Sequence, residues 1–303
     1  SKLLPMITRV DQLVSELLNN LMTLSNNDVT INATDIMVNL GVKCTLMQAL
    51  ASVLSNRSCG EKITPPMRIK LLDAIQYSLL SNDATYSLED VSATYMQMLS
   101  SIGDSIGKCI GGLFGYMECD AVVNVLTTFS AVDQSEHYSI TIKKLYAVAY
   151  GSQAMYLNPT IAMSNPSDPS ALSEVDLMKQ QQLFPFIKSY ANGSVAFSCS
   201  NTGDSLIIND TLRTCAVRCA SVVLMPVKGL SGESTTAGTS VKDYKRSSRM
   251  MVKMLGADIA SAVMDANGSS ELKQTAINAI KRVCTYCTVY MISEHVLFVF
   301  LYQ

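Results

Sequence analysis

Tryptophan is absent, and the only histidines are His137 and His295. Mechanisms that draw on a histidine base, a histidine metal site or a Ser-His-Asp relay therefore have almost nothing to use, and neither H-E-x-x-H nor G-x-S-x-G occurs. Glu294 precedes His295, but neighbours along a strand point to opposite faces and form no dyad. Charge is scarce as well. Asp, Glu, Lys and Arg make up 16% of the chain, against about 25% in an ordinary soluble domain. The net charge is −2, and the basic residues are scattered apart from Lys242, Lys245, Arg246 and Arg249. Without a cationic stripe to neutralise phosphates, nucleic acid is not an expected partner. No uninterrupted apolar run reaches the roughly 20 residues of a membrane span. The nearest approach, Val283 to Tyr302, contains Glu294 and His295, so no membrane span is expected in this chain.

Cofactor signatures are missing too. Gly103-Asp-Ser-Ile-Gly107-Lys108-Cys109 has three residues rather than four between its glycines, and Cys where magnesium needs Ser or Thr. It follows a helical pattern rather than a strand, and a helix-packing glycine segment is the better reading. The carboxylate pairs Glu118/Asp120 and Asp133/Glu136 have no setting that sets one apart from surface charge. No catalytic residue, cofactor site or metal site is expected.

What the chain does have is cysteine and amide. The 9 cysteines are Cys44, Cys59, Cys109, Cys119, Cys199, Cys215, Cys219, Cys284 and Cys287. Most fall in close pairs, which predicts local disulfides, with Cys44/Cys59 and Cys109/Cys119 foremost and one cysteine free or bridged to another chain. Cys215-x-x-x-Cys219 with Cys284-x-x-Cys287 also has the spacing of a four-thiolate zinc site, but Cys199 is a rival ligand and the knuckle glycines are missing. N-x-[ST] sequons at Asn32, Asn56, Asn192, Asn209 and Asn267 point to the same oxidising compartment and to N-linked glycans. A chain this rich in Asn, Ser and Thr yields roughly three sequons by chance. Together the two features imply an extracellular or cell-surface ectodomain protein.

The first half has helical periodicity. Leu13, Leu17, Leu18, Leu21 and Leu24 recur at three and four residues. Leu46–Leu54, Met67–Leu80 and Leu88–Ile106 repeat the pattern, and Ser/Asn/Asp clusters such as Ser25-Asn26-Asn27-Asp28 separate them. This is an imperfect repeat of short antiparallel helices. Gly103, Gly107, Gly111, Gly112 and Gly115 mark a turn or a tight helix contact. Met117–Phe129 is assigned to a strand and Ile140–Tyr156 to a helix. Residues 158–170 hold three of the 8 prolines and serve as a hinge between a helical domain, 1–157, and a mixed domain, 171–303. In the second domain Ser194–Cys199, Ser205–Ile208 and Cys215–Val227 have strand-like alternation and β-branching, while Ser247–Met264 and Ser270–Arg282 are helical. His295, Val296, Leu297, Phe298, Val299, Phe300, Leu301 and Tyr302 form a closing strand that must be paired internally or donated to a neighbouring chain. The predicted class is α+β, a helical array followed by a mixed, sandwich-like region.

The stretches LVSELLNNLMTLSNND (13–28), LMQALASVLSNRSCGE (46–61) and LLDAIQYSLL (71–80) resemble the helical part of the GAIN type of domain in polycystin-like and receptor-for-egg-jelly proteins. The resemblance covers residues 6 to about 120 and implies a strand-rich sandwich after the helices. It does not extend to the family's cleavage triplet: His295 is followed by Val296 and Leu297, so autoproteolysis is not implied.

The function these observations imply is non-enzymatic: a glycosylated protomer of an extracellular filament, coat or cell-surface appendage, with protein contact and self-association as the main use of its surface. The alternatives are a GAIN-like ectodomain fragment of an adhesion or polycystin-type membrane protein, and an enzyme of unrecognised type.

Overall fold

The computed structural model describes residues 9–25, 33–81, 91–133, 135–155, 178–223 and 241–289. The leucine spacing of the first segment becomes helix α1, Val10–Ser25, which buries Val10, Val14, Leu18 and Leu21 along one face. Then come α2 (Ala33–Leu54), the single turn α3 (Arg57–Gly60) and α4 (Pro65–Leu80). The Asn56 carboxamide opens α3 by accepting from the Cys59 N–H at 3.2 Å. Pro65 and Pro66 start α4, where their missing N–H groups lose nothing. Helix α5 (Ala93–Phe114) is capped by Ser92, whose hydroxyl accepts from the Tyr95 N–H at 3.1 Å. Next are α6 (Cys119–Phe129) and α7 (Tyr138–Ala154). His137 caps α7, its Nδ1 accepting from the Ser139 N–H at 3.2 Å.

A π-helical turn, Lys179–Leu183, runs into α8 (Phe184–Ala191), and α9 (Thr202–Val223), α10 (Val241–Met264) and α11 (Ser270–Val289) complete the order. Helices α5 and α7 form the central pair. On one side α2 packs on α5, with α1 and α4 outside it; on the other α9 packs on α7 and carries α8, α10 and α11. Residues before and after the 158–170 segment thus contribute to one core. The hinge segment itself lies outside the described residues.

The glycines of α5 set the spacing of the central pair. Gly103, Gly107 and Gly111 recur every four residues on the face toward α7. A Cβ at Gly107 would lie 2.7 Å from the Tyr146 carbonyl oxygen, and one at Gly103 would lie 2.8 Å from the Tyr146 ring. Gly112 does the same toward α2, 2.8 Å from the Leu54 Cβ. The loop-like motif of residues 103–109 is therefore interior helix. Its Asp104 pairs with Lys108 and accepts from the Tyr150 hydroxyl at 2.8 Å.

The expected α+β class is overturned, because no strand occurs among the described residues. Of the 117–129 stretch, 119–129 is α6; 205–208 and the 215–223 part of 215–227 lie inside α9, and 224–227 lie outside the described residues. Windows of four to eight residues cannot separate a strand from one face of a helix. Over its full length α9 buries Ile208, Leu212, Cys215, Cys219 and Val223, a period near 3.6. The 194–199 stretch is irregular chain. In place of a strand partner, the Asn209 carboxamide bonds the Phe197 backbone at both ends, accepting from its N–H at 2.7 Å and donating to its carbonyl at 2.8 Å. Strand 295–302 lies outside the described residues, and no sheet edge exists among them to receive it.

Candidate functional site

Arg213 and Thr214 stand three and four residues after Asp210 on α9, and Arg218 four after Thr214, so a single helical face presents them. That face forms one side of an open groove of about 770 Å³. The first turns of α5, the chain after α8 and the turn between α10 and α11 supply the rest of its lining.

Both guanidinium groups are held in place. Arg213 donates from Nε to the Ala191 carbonyl at 3.1 Å, at the end of α8 where helix carbonyls lack partners, and from Nη1 to Asp265. Asp265 also accepts from the Asn267 N–H at 2.9 Å. These bonds, that to Arg213 foremost, keep the Asp265 carboxyl below the usual carboxylate range. Arg218 donates from Nη1 to the Tyr146 hydroxyl at 3.2 Å and from Nη2 to Glu271 at 3.3 Å. Asp210 accepts from the Ser269 N–H at 3.2 Å, and the Ser269 hydroxyl in turn accepts from the Leu272 N–H at 3.1 Å, capping α11. Thr214 is 4% exposed, and its hydroxyl finds no hydrogen-bond partner among the described residues.

Ser100, also on the lining, meets the buried Cys215, with Oγ and Sγ 3.1 Å apart. Burial pushes the Cys215 thiol up, against the opposing Ser100 contact, and burial likewise raises the Tyr146 phenol. Both groups are neutral near pH 7, so neither is an activated nucleophile or base. The groove is lined by hydrogen-bond donors and acceptors, and each of its carboxylates, Asp210, Asp265 and Glu271, has a partner.

No family model, curated protein or solved structure matches this chain. The groove has to be interpreted from its own chemistry.

The expected site residues fall at several places. Asn192 and Asn267 are exposed in turns after α8 and before α11, Asn267 lining the groove. Asn56 is half-buried, and the Asn209 amide is committed to Phe197. Asn32 lies outside the described residues. Cys44, Cys59, Cys109, Cys199, Cys215 and Cys219 are free thiols, so the local bridges expected of them are not formed in the structure. Ten residues of α2 separate Cys44 from Leu54, about 15 Å along the helix, and the turn carrying Cys59 comes after that; a disulfide needs Cα atoms within about 7 Å. The side chains of Cys119, Cys284 and Cys287 lie outside the described residues. Among the described residues no three His, Cys, Asp or Glu side chains converge as metal ligands. His137 is a helix cap, and His295 lies outside the described residues.

Arg213, Arg218, Thr214, Asp265 and Glu271 do not stand out in the sequence. The available signal is the polar spacing 210, 213, 214 and 218, visible only once 202–223 is treated as one helix.

The thiol environments give a direct test. Cys199 is exposed, whereas Cys109, Cys215 and Cys219 are wholly buried and burial raises their thiols. Native-state alkylation followed by peptide mass mapping is expected to label Cys199 first and these three at least roughly 100-fold more slowly. If none of the six reacts until a reductant is added, the bridged arrangement expected from the sequence is restored.

Proposed function

We propose that this chain is a non-enzymatic structural protein of an extracellular assembly, and that it associates with copies of itself through the outer face shared by α2 and the end of α4. The observation that carries this reading is an exposed apolar cluster with one carboxylate, Asp73, at its edge a turn before Tyr77. Val38 and Val42 on α2 are 57% and 42% exposed, and Tyr77 and Leu80 on α4 are 44% and 48% exposed. Lys43 donates to the Ser81 hydroxyl at 3.1 Å, which brings the two stretches together. The exposed residues of α2 from Val38 onward are Val38, Val42, Thr45, Gln48 and Ser52, and α4 has no charged residue after Asp73.

A two-fold contact sets the same patch against itself, and with Asp73 at its edge as the one charge, little like-charge repulsion opposes it. Helix α2 is also the one helix among the described residues that is long and apolar enough, by length and composition, to cross a membrane. Its inner face is packed on α1 and α5, which leaves only the outer row for a partner. The exposed sequons Asn192 and Asn267 support the extracellular placement. The neutral Cys215 and Tyr146 and the paired arginines of the groove favour binding over catalysis.

Light scattering after size exclusion is the test. The wild-type chain is expected to run as a dimer or larger. Val42→Asp with Leu80→Asp is expected to weaken association by about 3 kcal/mol, more than a hundredfold in Kd, with an unchanged far-UV spectrum. A wild-type chain that stays monomeric at its highest soluble concentration overturns the self-association reading.

A further inference from the structure

We propose that the groove between α5, α9 and the α10–α11 turn binds a neutral oligosaccharide. This proposal is independent of the self-association reading and uses a different surface.

Its charges are already cancelled. Arg213 stands against Asp265, Arg218 against Glu271, and Asp210 against the N-terminus of α11, where helix N–H groups carry partial positive charge. A phosphate or sulfate would meet a carboxylate beside each guanidinium, and an amine would meet a guanidinium beside each carboxylate. Attraction and repulsion offset one another in both cases. A neutral polyol leaves the pairs in place and uses what they have spare. Arg213 commits Nε and Nη1, so Nη2 still donates, while Asp265 and Glu271 keep lone pairs that accept.

The Thr214 hydroxyl is a second, separate pointer to a ligand. It is buried on the lining of the groove with no hydrogen-bond partner among the described residues, a costly arrangement that a ligand hydroxyl, both donor and acceptor, relieves. The opposite character is also present. Leu206 on the same helix is 70% exposed and lines the groove with Val195 and Ile207, an apolar wall for the C–H face of a sugar ring. A volume of about 770 Å³ lies within the range of ligand clefts and far exceeds the needs of a single ion.

Two sources share this chemistry: a saccharide on another molecule, or the chain's own N-glycan at Asn267, whose sequon asparagine lines the groove. Calorimetric titration of the full chain made in bacteria, hence without glycans, tests the site first. The probes are chitotriose and a mannose trisaccharide, with a sulfated disaccharide and spermidine as charged controls. Saturable binding of at least one neutral probe is expected, with none of the controls. Thr214→Val, which keeps the volume and loses the hydroxyl, should weaken it roughly tenfold and Thr214→Ser should restore it. The proposal is overturned if folded protein binds neither neutral probe, binds a charged control more tightly, or binds equally well as Thr214→Val.

The same titration on chain from a glycosylating host separates the sources. If the chain's own glycan fills the groove, the free probe binds the bacterial chain and not the glycosylated one. If the saccharide comes from elsewhere, the two bind alike. Association state is read by scattering, so failure of this proposal and failure of self-association are seen separately.

Discussion

Gly107→Ala is expected to destabilise the protein by about 2–3 kcal/mol, even though alanine is the better helix former by about 1 kcal/mol. The sign is decided by what the new methyl meets. Its Cβ would stand 2.7 Å from the Tyr146 carbonyl oxygen and 2.9 Å from the Tyr146 carbonyl carbon. These are backbone atoms of α7 and have no rotamer by which to move aside. Relief comes only by moving α5 and α7 apart, and a gap of about 0.5–1 Å forfeits a quarter to a half of the dispersion energy along the contact. That contact includes Ile102, Ile106, Ile142 and Tyr146, all fully buried. Gly41→Ala is the matched control. Gly41 also lies inside a helix, but a Cβ there meets only the flexible end of Met98 at 3.6 Å. It should therefore raise stability by about 0.5–1 kcal/mol. Urea unfolding followed by far-UV circular dichroism reads both. Equal stability of Gly107→Ala and wild type would mean that α5 and α7 do not meet at this residue.

Lys143→Met is expected to cost about 3 kcal/mol in the same assay. The lysine is wholly buried in α7, and its ammonium donates to the Ser78 carbonyl at 3.1 Å and the Ser81 carbonyl at 2.7 Å. Both acceptors sit at the C-terminal end of α4, where carbonyls lack helical partners and the helix dipole favours a cation. Lys43 reaches the same end through the Ser81 hydroxyl. Methionine keeps the length of the side chain and takes the ammonium from the Ser81 carbonyl, while the Ser78 carbonyl keeps the Ser81 hydroxyl as a donor at 2.8 Å. The opposing effect is relief from burying a charge, which in some proteins makes an apolar replacement neutral or stabilising. A Lys143→Met variant as stable as wild type would show that this relief wins here and that the α4 end can be satisfied otherwise.

The leucine repeats of α1 and α4 are legible because each carries its helical face in its own residues, and Pro65-Pro66 marks a start without reference to any neighbour. The glycines of α5 are legible as a close contact, although not the partner they touch. The strand assignments of the second half fail for a definable reason. Val, Ile and Thr in 205–208 and 215–223 are compatible with either structure over short windows, and the buried row from Ile208 to Val223 is visible only across the whole of α9. The 194–199 stretch looks like a strand but is irregular chain, its Phe197 backbone bonded at both ends by one carboxamide, Asn209, which no local pattern announces.

By itself the sequence determined the amount of charge, the scarcity of histidine, the helical repeats of the first half and the tightness of the α5 glycine face. These depend on residue identity and on spacing within one element. The tertiary structure alone decided that the regular elements of the described residues are all helices, that Lys143 serves the end of α4, that six of the cysteines are free thiols, and that Arg213 and Arg218 meet Asp265 and Glu271 across a groove. Asp265 is 52 residues from Arg213 and Glu271 is 53 from Arg218. Pairings at that separation arise from the packing of α11 on α9 and α10, and periodicity within a segment carries no information about which segment will be its neighbour.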